Sequence, residues 1–147
     1  MMPQSAFNPP VGIAEDMGRG IRRILAPNPS PMTYLGTNTY MLGETGIAVI
    51  DPGPDDQSHL AAILGALGPG QRVTHILVTH AHLDHSPLAA QLARETGAKV
   101  HAFGHARDGR SAVMERLAQS GLNDGGEGID HGFYPDIRLT DGEVVTG

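Results

Sequence analysis

The feature that most constrains this chain is a run of metal-binding residue types directly after an apolar, strand-like segment. Within six consecutive positions the run places three histidines and one aspartate, in the order His80, His82, Asp84 and His85. Side chains two residues apart project to the same side of an extended backbone, so the first three can face one point while the following turn brings the fourth to it. Imidazole and carboxylate are ligands that zinc and neighbouring first-row metals accept. The run therefore predicts a metal site at the junction where a strand ends and a helix begins.

The alternative is that these are ordinary surface or core histidines, as a single histidine near a strand end usually is. Here four of the chain's eight histidines, His75, His80, His82 and His85, fall close together. Packing four titratable rings together without a ligand would bring charge repulsion or desolvation with no compensating interaction. The chain has no cysteine, so histidines and carboxylates are its plausible metal-binding groups. A metal site is therefore the favoured interpretation.

The same run carries a family resemblance. Thr79-His80-Ala81-His82-Leu83-Asp84-His85 resembles the His-x-His-x-Asp-His motif of the metallo-β-lactamase-fold hydrolases. Upstream, residues 38–43 and 48–53 resemble that family's opening hairpin and its Asp-x-Gly turn, and Leu139–Glu143 resembles a later hairpin turn. The match is nearest to the branch that includes glyoxalase-II-like thioesterases and β-lactamase-like endonucleases.

The resemblance implies an α/β fold in which a mixed sheet flanked by helices forms one half of a four-layered αββα sandwich. It also implies that His80 and His82 bind one zinc ion, while Asp84 and His85 bind a second, both with further ligands from later in the fold. Iron or manganese is an alternative to zinc. Asp84 is expected to be catalytic, because its carboxylate would orient the attacking water and accept its proton.

Two further residues are expected to support the site. The resemblance implies that Asp51 lies beneath the metal ligands and fixes their loop by hydrogen bonds, with Thr79 at the start of the loop as a second supporting residue. For Asp51 a simpler role as a turn-forming residue is compatible with this one.

The sequence up to Phe103 predicts alternating strands and helices. Strands are expected at 21–26, 39–42, 47–50, 73–78 and 99–103, and helices at about 56–67 and 88–94. Ser86 suits an N-cap, Pro87 a first helical position and Gly97 the end of the second helix. The nearly continuous apolar run at 73–78 is typical of a strand buried on both faces. The alternation favours a layered α/β arrangement.

Four other histidines are not predicted to be metal ligands. His59 is expected to be exposed on the first helix, and His75 to be structural. Gly104–Gly109 superficially resembles the Gly-His-x-x-Gly element that carries the family's next ligand, but His105 is discounted because it follows the metal-binding run by only one helix and one strand. His131 is discounted because it lies in a glycine-rich loop, which is a poor support for a ligand.

The domain organisation is expected to be simple. Residues 1–147 are predicted to be the N-terminal part of one metallo-β-lactamase-like domain, with its C-terminal half absent and little activity by itself. Residues 1–18 predict a loose arm or irregular surface strand, 112–118 a helix, and 121–132, with five glycines, a loop. An uncovered sheet face would favour self-association into dimers or larger species.

The net charge and the apolar pattern of the chain limit the kinds of partner that we expect. A net charge of −6 and a pI near 5.7 argue against a surface that binds nucleic-acid backbones, so a small-molecule substrate is expected. There is no basic-then-apolar leader and no apolar run of membrane-spanning length, so we expect no membrane association and a cytoplasmic location.

Two classes of function remain open. The first is a metal-dependent hydrolase acting on a small ester, thioester or lactam. The second is a non-catalytic half-domain that binds metal or pairs with another chain. A nuclease is a weaker third possibility, because the ten Lys and Arg residues form no visible cluster.

Overall fold

The computed structural model describes residues 8–108, 111–120 and 128–147, apart from the side chain of Ala118. One mixed sheet of seven strands dominates it, with the strands in sequence order from β1 to β7. The strands are β1 (Glu15–Gly18), β2 (Ile21–Leu25), β3 (Asn38–Leu42), β4 (Gly46–Ile50), β5 (Arg72–Leu77), β6 (Lys99–Ala102) and β7 (Ile137–Arg138). The helices are α1 (Gln57–Gly65), α2 (Leu88–Thr96) and α3 (Ala112–Gln119).

The strand pairing changes from antiparallel to parallel at β4. Strands β1 to β4 pair antiparallel, whereas β4 to β7 pair parallel. Parallel neighbours need a crossover connection, and α1 and α2 provide the crossovers from β4 to β5 and from β5 to β6. The expected α/β fold with a mixed sheet and flanking helices is confirmed.

An apolar row crosses the middle of the sheet. Met41, Val49, Ile76 and Val100 are register partners on four successive strands, and each is no more than 4% exposed. They belong to one buried cluster with Ile63 of α1, Leu92 of α2 and other apolar side chains. This cluster packs α1 and α2 on the sheet and extends to Val78 and Ala81 of the metal-binding run.

The opposite face of the sheet is less covered. Tyr40 and Ile50 are cross-strand partners, and both are only half-buried, although their neighbours along each strand are fully buried. Strand β5 is also incompletely covered, with Val73 and Ile76 buried but Thr74, His75 and Leu77 only half-buried. The prediction that β5 is buried on both faces was therefore wrong.

None of the helices in the described ranges is long and apolar enough to cross a membrane.

Of the two interpretations for the N-terminal residues, a loose arm or an irregular surface strand, the described part fits the second. Val11 forms a bridge with Leu25, and β1 pairs with β2, so residues 11–18 follow the sheet edge. Residues 1–7 of the expected arm and 121–127 of the expected glycine-rich loop lie outside the described residues. Gly128 onward is described, and it returns to the loop that carries the predicted ligands.

Two local predictions need correction. Helix α2 begins at Leu88 with Pro87 at its N-cap and no side-chain cap, because the Ser86 hydroxyl bonds elsewhere. His59 was expected at the surface but is 1% exposed. It sits in the first turn of α1, whose N-cap Asp56 accepts a hydrogen bond from the His59 amide. His59 faces inward because it is one helical turn before Ile63, on the same side of the helix.

Candidate metal centre

The predicted ligands lie on the ligand loop, which we define as residues 78–87 between β5 and α2. A turn in this loop is closed by hydrogen bonds from the amides of His85 and Ser86 to the carbonyl of His82. The turn brings His85 back towards His80, with ring centroids 4.2 Å apart, while the His80 and His82 rings are 4.5 Å apart. The structure thus brings the three imidazoles together.

Two overlapping groups of side chains have potential ligand atoms close enough to share a metal ion. In one, atoms of His80, His82 and Asp84 all lie within 4.8 Å of one another; in the other, atoms of Asp51, His80 and His85 do. His80 belongs to both groups. The four predicted ligands and the expected supporting residue Asp51 are therefore neighbours.

Asp51 uses all of its polar atoms within the protein. Its carboxylate accepts hydrogen bonds from the Thr79 amide at 2.8 Å, the Thr79 hydroxyl at 2.7 Å and His85 Nδ1 at 2.9 Å. Its amide donates to the Leu77 carbonyl, and its own carbonyl accepts from the Thr39 hydroxyl. Because these partners occupy the carboxylate, Asp51 is better suited to holding the ligand loop than to binding a metal directly.

These bonds also determine which ring nitrogens carry protons. A carboxylate only accepts, so His85 donates from Nδ1 to Asp51, and the Thr79 hydroxyl likewise gives its hydrogen to Asp51. Thr79 Oγ1 can then accept from His80 Nδ1, which is 2.8 Å away. In the neutral form of His80 and His85, Nε2 is therefore the nitrogen left free to bind a metal.

Charge and burial act differently on two of the imidazoles. Burial lowers the pKa of His80, and repulsion from protonated His85 and His82 lowers it further, against weaker attraction to Asp51 and Asp84. Burial also lowers the pKa of His85, but the hydrogen bond and charge of Asp51, with the charge of Asp84, outweigh burial and raise it overall. His80 is therefore ready to bind metal at neutral pH, whereas a metal must compete with a proton at His85.

The pKa of Asp51 reflects the same bonds. Burial raises the pKa of its carboxyl, but hydrogen bonds from His85 and Thr79 more than offset burial and lower it below the usual value. Asp51 is consequently a carboxylate at neutral pH, as its role as a triple acceptor requires.

Asp84 provides the test of whether a metal fits. The residue is 8% exposed, and its Oδ1 is buried without a hydrogen-bond partner in the described part of the chain. Its other oxygen, Oδ2, lies 3.3 Å from His85 Nε2. An unpaired buried carboxylate oxygen is costly unless a cation compensates it, so the residues present fit a metal ion bound by imidazole and carboxylate.

A later segment, Gly128–Asp130, also contacts the ligand loop. The Leu83 amide donates to the Gly128 carbonyl at 3.1 Å, and the Asp130 amide donates to the Ala81 carbonyl at 2.9 Å. The Ser86 hydroxyl lies 2.7 Å from Asp130 Oδ2. Sequence reasoning missed this support, because nothing local to Ser86 indicates a partner 44 residues away.

A cavity of about 180 Å³ opens beside the imidazoles of His80 and His82. Apolar side chains including Phe103 and Ile129 line it, together with His105 and Asp108. His105 joins neither of the two potential metal groups found among the described residues. It instead approaches Asp108, with its Nε2 3.6 Å from Asp108 Oδ1. His131 is exposed, and it too is outside both groups.

Comparison with known proteins finds relatives of this chain. A lactamase-like protein of Pestalotiopsis microspora is 30% identical over 151 residues, covering 95% of this chain and 46% of the relative. An atrochrysone carboxyl ACP thioesterase of Passalora fulva is 35% identical over 94 residues, covering 62% of this chain and 28% of the relative.

Solved structures share the fold. A beta-lactamase domain protein from Burkholderia ambifaria superposes with a TM-score of 0.66 at 22% identity, covering 98% of this chain and 47% of that one. The chain spans less than half the length of each of these three proteins. The family model described as the metallo-beta-lactamase superfamily matches residues 32–146. The chain therefore belongs to the metallo-beta-lactamase superfamily.

Proposed function

We propose that this chain carries a metal-binding part of a zinc-dependent hydrolase site, with His80, His82, Asp84 and His85 as ligands. The observation that carries the proposal is the convergence of ligand atoms from His80, His82 and Asp84 within 4.8 Å, together with the unpaired buried oxygen of Asp84. A bound metal ion would supply two effects, a lowered pKa for a water molecule and polarisation of the substrate's carbonyl.

The chain's own residues have defined tasks in such a site. His80 and His85 offer Nε2, because Thr79 and Asp51 engage their Nδ1 atoms. Besides binding the metal, the Asp84 carboxylate is proposed to orient the attacking water and take its proton. Asp51 keeps the loop and the ring tautomers fixed throughout.

We propose a small thioester or ester as the substrate. The cavity beside His80 and His82 has a volume of about 180 Å³ and is lined in part by apolar side chains such as Phe103 and Ile129, which suit a compact acyl group. The thioesterase names of relatives from Passalora fulva and from a Cryptosporiopsis species favour a thioester over a lactam. The net charge of −6 disfavours nucleic acid as a substrate.

The proposal is tested by His82→Ala with His131→Ala as the matched control, since both variants remove one imidazole and only His82 belongs to the cluster. His82→Ala is expected to weaken zinc binding at least about tenfold, because a lost ligand costs at least as much as a lost supporting hydrogen bond. Zinc-dependent hydrolysis of a thioester should fall with it. Competition with a chromogenic chelator gives the affinity, and equal zinc binding by both variants would contradict the ligand assignment.

A second candidate role is self-association, which the exposed apolar side chains favour. Val113, Met114 and Leu117 of α3 are 55, 43 and 39% exposed, and the face of the sheet that carries Tyr40 and Ile50 is half-buried. Exposed apolar side chains of this kind favour an interface where they form a patch. Sedimentation velocity over a range of concentrations should show dimers or larger species, and a monomer at all concentrations would remove this candidate.

A further inference from the structure

His59 is a buried imidazole that neither the metal cluster nor the apolar core accounts for. Its ring packs so closely on Gly53 that a Cβ there would lie 3.0 Å from His59 Cδ2. Its Nε2 lies 2.8 Å from Thr39 Oγ1, and Thr39 is 0% exposed. His59 is thus held at a specific contact, one that an apolar side chain of similar size could not make.

The direction of this hydrogen bond follows from its other partner. Thr39 Oγ1 is 2.7 Å from the carbonyl oxygen of Asp51, which can only accept, so the Thr39 hydroxyl hydrogen points to Asp51. Thr39 Oγ1 must then accept from His59, which fixes the proton on His59 Nε2. The other nitrogen, Nδ1, is buried with no hydrogen-bond partner among the residues described.

The ring is neutral under ordinary conditions. Burial lowers the pKa of His59 to about 4, although the nearby Asp56 carboxylate opposes part of that shift. At neutral pH His59 is therefore a fixed donor from Nε2.

What Thr39 holds is the residue beneath the metal site. Asp51 has φ of 52°, in the left-handed region that residues other than glycine seldom adopt, and this conformation needs support from its surroundings. The Thr39 hydroxyl fixes the Asp51 carbonyl, and the Asp51 carboxylate fixes Thr79 and His85. His59, Thr39 and Asp51 form a continuous relay of hydrogen bonds to the ligand loop.

We propose that His59 is a positioning residue of the metal site, acting through Thr39 to keep Asp51 in the conformation that orients Thr79 and His85. The inference rests on the proposed function for its relevance to metal binding, but its structural test needs no metal. A purely space-filling role makes a different prediction. An apolar residue of similar size would then serve equally well, and an added donor would bring no benefit.

The test compares His59→Leu, which fills space without a donor, with His59→Gln, whose amide can donate from a similar position. The measurement is hydrogen exchange of the Thr79 amide, which is bonded to Asp51 Oδ1 in the metal-free chain. After correction for any change in global stability, His59→Leu is expected to speed this exchange about tenfold. His59→Gln is expected to speed it about twofold or less. Ile63→Val is the matched control, since it trims a buried side chain on the same helix without touching the relay.

Two further measurements cover the possibility that His59→Leu does not fold. Thr39→Val removes the hydroxyl from the relay at nearly constant volume, and it should speed Thr79 exchange by a similar factor. Nitrogen NMR of the His59 ring should show Nε2 protonated and Nδ1 unprotonated at neutral pH. Equal exchange in His59→Gln and His59→Leu, or a proton on Nδ1, would overturn the proposal.

Zinc affinity distinguishes failure of the metal function from failure of the relay. If the chain binds zinc, His59→Leu should weaken binding about tenfold, and His59→Gln should restore most of the loss. If wild type binds no zinc while the exchange pattern holds, the metal function fails and the relay from His59 to Asp51 stands.

Discussion

Asp51 and the Gly128–Asp130 segment both hold the ligand loop, one from before it in the sequence and one from after it. Asp51 bonds the Thr79 amide and hydroxyl and His85 Nδ1 through a buried carboxylate. Gly128–Asp130 instead bonds main-chain atoms of Ala81 and Leu83, with one side-chain contact to Ser86. Asp51 therefore controls which imidazole nitrogens are protonated, whereas Gly128–Asp130 controls the path of the backbone.

The difference is that only one of the two supports is coupled to the chemistry of the rings. Changes on the Asp51 side should alter the charge of the cluster as well as the stability of the fold. Changes on the Gly128–Asp130 side should alter stability alone.

The largest effect is expected for Asp51→Asn, which keeps the size and the left-handed backbone but removes the charge. The side-chain amide of asparagine would place N–H groups opposite the Thr79 and His85 donors, where the carboxylate now accepts. We therefore expect a loss of about 3 kcal/mol in the free energy of unfolding. Zinc affinity should fall about 10- to 100-fold. Urea unfolding and chelator competition measure the two quantities.

Asp141→Asn is the control for Asp51→Asn, since Asp141 is exposed. Its effect on stability should stay within about 0.5 kcal/mol. Similar losses in the two variants would show that the Asp51 bonds contribute little.

A loss of stability of comparable size is expected on acidification, because the hydrogen bonds around Asp51 extend to His59. The pKa of His59 is about 4 in the folded protein against 6.5 in the unfolded chain, so the unfolded chain takes up a proton first as the pH falls. The stability that neutral His59 contributes is fully present above pH 6.5. It is lost as the pH falls from about 6.5 to 4, by up to about 3 kcal/mol. The raised pKa of His85 has the opposite sign, with a contribution that is present below 6.5 and lost as the pH rises through its folded value.

Comparing wild type with His59→Gln isolates the His59 contribution, because both proteins contain His85. Urea unfolding at pH 7 and pH 4.5 should show wild type losing about 2 to 3 kcal/mol more than His59→Gln. Parallel losses would mean that the His59 ring is protonated in both states or in neither.

The smallest effect is expected for Ser86→Ala on the other side of the loop. It removes one buried hydroxyl that bonds Asp130 and the His82 carbonyl, at a cost of about 1 kcal/mol. Zinc affinity should stay within about threefold of wild type, because the Nδ1 bonds of His80 and His85 are untouched. A zinc loss as large as that of Asp51→Asn would abolish the distinction between the two supports.

The sequence was most informative where neighbours in the chain are also neighbours in space. His80, His82, Asp84 and His85 are consecutive enough that one strand end and one turn bring them together, so their clustering could be predicted. Their role as ligands stays a prediction. The order of β2 to β6 with α1 and α2 followed from local apolar periodicity for the same reason, whereas the two-residue strand β7 was not predicted.

Positions that depend on distant partners were the ones that failed. Ser86 looked like a helix cap, but Asp130 offers its hydroxyl a partner that local sequence does not reveal. His59 looked like a surface residue because histidine is polar, yet its spacing of four from Ile63 placed it on the apolar face of α1. That spacing was a usable signal, whereas the Thr39 hydroxyl and the space at Gly53 depend on tertiary structure.

The unbroken strand order has a consequence for how the protein assembles. Because each of the seven described strands pairs with its neighbours in sequence, this sheet can add one strand at a time as the chain is synthesised, and none of these seven waits for a late partner. Asp51 reaches the ligand loop as soon as β5 has joined β4. Asp130 lies 44 residues beyond Ser86, which is roughly 2 to 9 seconds later at ordinary rates of translation. The part of the site that sets proton positions is therefore complete in the nascent chain before the part that fixes the backbone.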